Sequence, residues 1–211
     1  MADDRALIFA RLRESLERLD CRTPYPEFAA DVATPPARHG NSRALFSQRL
    51  RAANTQVVES VSALAGLLED RGVRCGYCDP VLAPRLSTAL GPQIELLPTF
   101  DRSRIDDYRF GITRASAGIV ETGTLVLKDR DTSDRLGAVA PWIHVACLDP
   151  RDLYSTLAEA ITELDDDPNV ILISGHSQTA DVEGIMIHGV HGPGEQVCLF
   201  LNQEEDPETR P

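Results

Sequence analysis

Alternation between helical and extended hydrophobic periods constrains this chain more than any other feature of its sequence. Phe46, Leu50, Val57, Val61, Leu64 and Leu68 recur at helical spacing, which predicts one helix over residues 43–70 with Gly72 at its C-terminal cap. Val73 to Tyr77 then reads as a short strand, Leu82 to Leu90 as a helix and Ile94 to Leu97 as a strand. After position 140 the pattern resumes with a strand over Trp142 to Leu148. Asp149 and Pro150 start a helix with a stripe of Leu153, Leu157, Ile161 and Leu164, and strands follow at Val170 to Ile173 and Val197 to Leu201. A chain that alternates in this way buries its strands between helices. The expected fold is therefore α/β, a Rossmann-like, mostly parallel sheet flanked by helices.

Two regions depart from that rhythm. In FGITRASAGIVETGTLVLKDRD the apolar residues fall on either side of Glu121, Thr122 and Gly123, so two strands joined by a tight turn are expected. At the start, Ile8, Leu12, Leu16 and Leu19 share one helical face, and the proline-bearing stretch Cys21 to Asn41 reads as a connector. This gives an N-terminal helical extension over 1–42, an α/β domain over 43–203 and an acidic tail over 204–211.

Charge and cysteine usage narrow the function classes. Thirty-three acidic residues against twenty-one basic ones give a formal charge of −12, which repels nucleic acid and anionic membranes. No apolar run approaches the length of a membrane span, and the first twenty residues lack the apolar core of a secretion signal; a cytoplasmic protein is expected. Five cysteines, an odd number without framework spacing, fit reduced thiols. Cys75 and Cys78 form a CxxC, but no second pair follows to complete a zinc site, and the Asp165, Asp166, Asp167 run lacks the spacing of a calcium loop.

Three segments gather the versatile side chains. In the first, Glu121, Thr122, Gly123 and Thr124, glycine permits close backbone approach, the hydroxyls suit an anion, and the carboxylate suits a base or nucleophile; the plainer reading is a polar turn. In the second, SGHSQTAD, an apolar strand delivers Ser174, Gly175, Ser177, Thr179 and Asp181 to a loop expected beyond the carboxyl end of the sheet. Leading into a helix N-terminus, such a loop binds an anion, caps the helix through Thr179 or Asp181, or does both. In the third, GVHGP, two glycines and a proline hold His191 and Gly192 on a fixed path, and the imidazole either shuttles protons or bonds to backbone. His176, Asp181, His188 and His191 match no zinc spacing, and no metal is expected.

In order and separation, GIVETGTLVL, ISGHSQTADVEG and GVHGP resemble the LUD-domain family, which includes lactate-utilisation protein C. The likeness covers roughly residues 100–201, with His176 standing where the family usually has proline. It implies the fold of the sugar-phosphate isomerase, deaminase and CoA-transferase group. It also implies a part in oxidising L-lactate to pyruvate beside iron–sulfur partner proteins. The neutral donors, carboxylates and His191 that converge in the three segments suit a small anionic metabolite as ligand. The chain's cysteines are wrongly spaced for a cluster of its own and it has no glycine-rich dinucleotide fingerprint, so no resident cofactor is expected. The alternatives are a CoA-transferase-like enzyme with Glu121 as acyl acceptor, an enzyme acting on sugar phosphates, and a non-catalytic scaffold subunit.

Overall fold

Six short strands, β1 (Thr55–Val58), β2 (Cys75–Cys78), β3 (Glu95–Leu97), β4 (Phe110–Arg114), β7 (Ile143–Leu148) and β12 (Glu195–Phe200), pair in the order β1-β12-β7-β4-β2-β3, every pair parallel. The computed structural model describes residues 4–17, 42–132, 134–163, 167, 169–180 and 184–201. The chain divides into two compact units, Met1–Pro35 and Pro36–Pro211. In the first, helix α1 (Asp4–Glu17) carries Leu7, Ile8, Phe9, Leu12 and Leu16 exposed. The Cys21–Asn41 connector, Leu19 and the acidic tail lie outside the described residues.

The second unit is layered, and alternation along its strands explains why. Phe110, Ile112, Ile143, Val145, Val197 and Leu199 point to one face of the parallel sheet, where Leu64 and Leu68 of α3 (Val61–Asp70) and Leu86 and Leu90 of α4 (Ala83–Leu90) complete a buried cluster. Ala146, Leu148, Cys198 and Phe200 point to the other face and meet Phe46 and Leu50 of α2 (Ser42–Ala52), together with Leu125 and Leu127. Those two leucines belong to β6 (Thr124–Lys128) of a separate four-stranded sheet. Its order is β8-β5-β6-β9, with β5 at Ala117–Ile119, β8 at Leu153–Tyr154 and β9 at Val170–Ile173. Beneath it, Ala160 of α6 (Leu157–Glu163) packs on Ala117, Ile119 and Val126. A four-residue helix, α5 (Leu136–Val139), lies against β4 and β7.

The expected helix over 43–70 is two helices with a strand between them. Asn54 adopts a left-handed φ of 58°, which ends α2, and the β-branched pair Val57–Val58 falls in β1, the edge strand beside β12. Ser60 then accepts a hydrogen bond from the Ala63 amide and starts α3. The helix expected from Pro150 begins seven residues later. Residues 149–152 form a turn, Leu153 enters β8, and Ile161 is exposed; Leu164 lies outside the described residues. Nor does the Val170 strand join the main sheet. It is an edge of the second sheet with Val170 and Leu172 exposed, so it is not the buried strand that its apolar run predicts.

The cysteine pair lies along β2 itself. Residues three apart on a strand point to opposite faces, so Cys75 and Cys78 do not converge on one ion. Burial pushes the Cys78 thiol up to about 12, where it packs as a small apolar group. Among the described residues no group of three His, Cys, Asp or Glu side chains is placed to hold a metal, and no helix is long and apolar enough to cross a membrane.

Candidate functional site

The three sequence segments meet. β5 and β6 form an antiparallel hairpin whose turn is Val120 to Gly123, and β6 pairs with β9 so that Thr124 stands beside Ser174. Their hydroxyls lie 2.6 Å apart, and Thr122 extends the chain to Thr124 at 2.7 Å. From Ser174 the chain continues into β10 (Gln178–Ala180), which pairs with β11 (Met186–His188) as a hairpin. Ser177 ties the segment to GVHGP. Its amide donates to the Pro193 carbonyl, its carbonyl accepts from Gly189, and its Oγ accepts from the His191 amide at 3.2 Å.

Two glycines are required by this convergence. Gly123 has φ 65°, and a β-carbon on it would come within 2.7 Å of the Arg49 backbone. Gly175, at φ 89°, lies directly on the Ala53 carbonyl. Both press the polar segments onto the end of α2. Gly189 and Gly194 similarly cover the Trp142 ring.

The location differs from expectation. Ala53 precedes β1, Trp142 precedes β7 and Gly194 precedes β12, so these contacts lie at the amino ends of the parallel strands. SGHSQTA runs into a β-hairpin and offers no helix N-terminus. Asp181 and Glu183 lie outside the described residues. Thr179 is mid-strand in β10, and Gly192 sits against the Ser177 β-carbon. His191 is exposed, while His176 stacks obliquely on His188 with ring centroids 4.5 Å apart. Partial burial and then the His188 ring lower the pKa of His176. Glu121 acts as a cap: its Oε1 accepts from the Leu157 amide at 2.7 Å, at the first turn of α6.

At the opposite, carboxyl edge lies a crevice of about 250 Å³ that the sequence did not reveal. Arg114 ends β4, Asp149 follows β7, and Arg85 reaches in from α4; Ser116, Asp131 and Asp152 contribute from loops of the second sheet. Beside it Asp79, fully buried where β2 ends, accepts from Arg114 Nε at 3.2 Å and from the Val81 amide at 2.9 Å. Arg151 hydrogen bonds hold Asp149 below the usual carboxylate range, whereas burial, and then the Asp149 charge, push Asp152 up. The available signal was the charge that ends three strand runs, in YCDP, GITR and ACLDP.

A third polar group is internal. His144, fully buried in β7, lies 2.8 Å from Thr113 Oγ1 through Nε2 and 2.9 Å from Gln196 Oε1 through Nδ1. With Nδ1 protonated, the ring donates to Gln196 and accepts from Thr113. Every polar atom is then satisfied and the histidine is neutral. Burial lowers its pKa to about 4.

A parallel α/β sheet with a second sheet on one face and family-signature turns at its amino edge defines the class. A DUF162 family protein of Deinococcus radiodurans has a similar fold, with TM-score 0.57 at 20% identity over 76% of this chain and 96% of that one. Residues 99–201 match the LUD domain model, which identifies that segment with the LUD-domain family. An uncharacterized protein of Neisseria meningitidis is 34% identical over 96 residues, covering 43% of this chain and 41% of that protein. Lactate utilization protein C of Bacillus pumilus is 32% identical over 94 residues, 41% and 39% of the two chains. That of Deinococcus radiodurans is 27% identical over 101 residues, 46% and 48%. The matches thus span less than half the length of these curated relatives.

Proposed function

We propose that the chain serves lactate utilisation as a subunit that handles a small carboxylate and docks partner proteins in which the iron–sulfur redox chemistry resides. The observation that carries this reading is the face around the converging signature segments. Beside Ser177, His188 and His191, the chain exposes Trp142, Ile185, Met186, Ile187 and Val190, at 40–58% of their surface. Large apolar side chains left exposed among polar groups are what a protein partner covers. Relatives named for lactate utilisation support the pathway, and the family resemblance of the sequence motifs suggests the partner class.

Co-purification of the tagged full chain from its native cell tests the reading. A cluster-bearing protein should be recovered with the wild type and lost with Met186→Glu; recovery of none, or equal recovery with both, contradicts it.

Anion binding on this same face is the second reading. It is favoured by Ser177, whose Oγ accepts from the His191 amide and so keeps its own proton to donate, with Thr122, Thr124, Ser174 and Gly192 forming the rest of the wall. Under it, Ser177→Ala and His191→Ala weaken binding of L-lactate or pyruvate, and unchanged titrations remove it.

A further inference from the structure

We propose that the crevice at the carboxyl edge of the parallel sheet binds a small monoanionic carboxylate carrying a hydrogen-bond donor on the adjacent carbon, a 2-hydroxy or 2-amino acid. The inference deepens the proposed function by naming where the carboxylate sits, and it rests on the reading that the chain handles one.

Asp79 is the first support. A carboxylate with no exposure is costly to bury, and a buried ion pair is poor evidence of a gain in stability. What the pair does accomplish is geometric. Asp79 is fixed by the Val81 amide, and it fixes the Arg114 Nε, so the guanidinium is held with about a third of its side chain facing the crevice. A guanidinium whose Nε is already engaged keeps its terminal amino groups to meet a planar oxyanion. Register fixes the other end of the residue, since Arg114 pairs with Cys147 and the next amide, Ala115, donates to the Cys147 carbonyl.

Position is the second support. Open parallel sheets bind ligands beyond the carboxyl ends of their strands, and this crevice is bounded by residues at or beyond the ends of β4, β7 and β12. The second sheet leaves the first at this edge, through Ser116, and forms the opposite wall.

The lining selects the ligand class. Arg85 and Arg114 attract an anion, while Asp131, Asp149 and Asp152 repel a polyanion and accept from hydroxyl or ammonium groups. Asp131 is already paired with Lys128, and Asp149 with Arg151. Asp152 makes no such pair among the described residues and is the acceptor for the ligand's donor. A volume of about 250 Å³ admits a small acid and excludes a nucleotide.

Calorimetric titration of the full chain with L-lactate, L-alanine and inorganic phosphate tests this, and the tighter of the two acids identifies the donor as hydroxyl or ammonium. At least one acid should bind saturably and more tightly than phosphate. Arg114→Lys keeps a positive charge beside Asp79 but loses the fork, and Arg85→Gln removes the second cation; each should weaken binding at least tenfold. Ser177→Ala separates the two edges of the sheet: with the ligand in this crevice, the arginine variants lose more affinity than Ser177→Ala does. Wild-type affinity in both arginine variants, or phosphate binding more tightly than either acid, overturns the inference. Loss in Ser177→Ala alone moves the ligand to the amino edge, overturning the inference while the carboxylate reading stands. Absence of saturable binding overturns both.

Discussion

His144 shows how one buried side chain sets a response of the whole protein. Its ring is neutral in the fold, with a pKa of about 4, and has an ordinary value near 6.5 when unfolded. The unfolded state therefore binds the extra proton between these values. The histidine's contribution is fully present above about pH 6.5 and is lost as pH falls toward 4, a difference of roughly 3 kcal/mol. Urea unfolding across pH 4–7 should show this fall, and His144→Gln, which does not titrate, should flatten it; equal slopes refute the assignment. Gly123 is the other decisive residue. Gly123→Ala forces a β-carbon into the Arg49 backbone at a positive φ, and a loss of about 2–4 kcal/mol is expected in the same assay. Both glycine and histidine were in the sequence, but only Gly123 was legible, because a turn between two apolar runs announces itself. His144 lies inside an unbroken strand pattern, and its partners Thr113 and Gln196 are 31 and 52 residues away.

Elements were read well where one period ran uninterrupted. β2, β3, β7, β12 and α4 fall within a residue or two of their expected places, because each is a short apolar run bounded by Gly, Pro or Asp. Residues 43–70 misled for a physical reason. Val57 and Val61 continue a helical spacing across a strand, and only Asn54 and Ser60, residues suited to a left-handed turn and an N-cap, mark the two breaks. Ser60→Ala should lower stability by about 1 kcal/mol, measured by thermal or urea unfolding, since it orphans the Ala63 amide. No change would mean that the cap is satisfied by solvent. α6 hides its start in the same manner. Its first turn is held by Glu121 from 36 residues away and by Thr156, and neither partnership is visible as local periodicity.

At the scale of the molecule the two edges of the parallel sheet divide the chemistry. The amino edge carries the signature turns and an apolar hairpin, and the carboxyl edge carries the guanidinium crevice. The three segments were legible in the sequence as one neighbourhood because each is dense in small polar residues. Their edge was not legible, since it depends on β9 joining the second sheet. Nor was the crevice, which draws on α4, β4, β7 and loops of the second sheet, none polar enough alone to stand out. The most direct test of this division is to titrate isotopically labelled full chain with L-lactate or L-alanine and map the amide shifts. The account predicts a cluster at Arg114, Ala115, Ser116, Cys147 and Asp152, with the 174–192 amides unmoved. Shifts confined to 174–192 would contradict it.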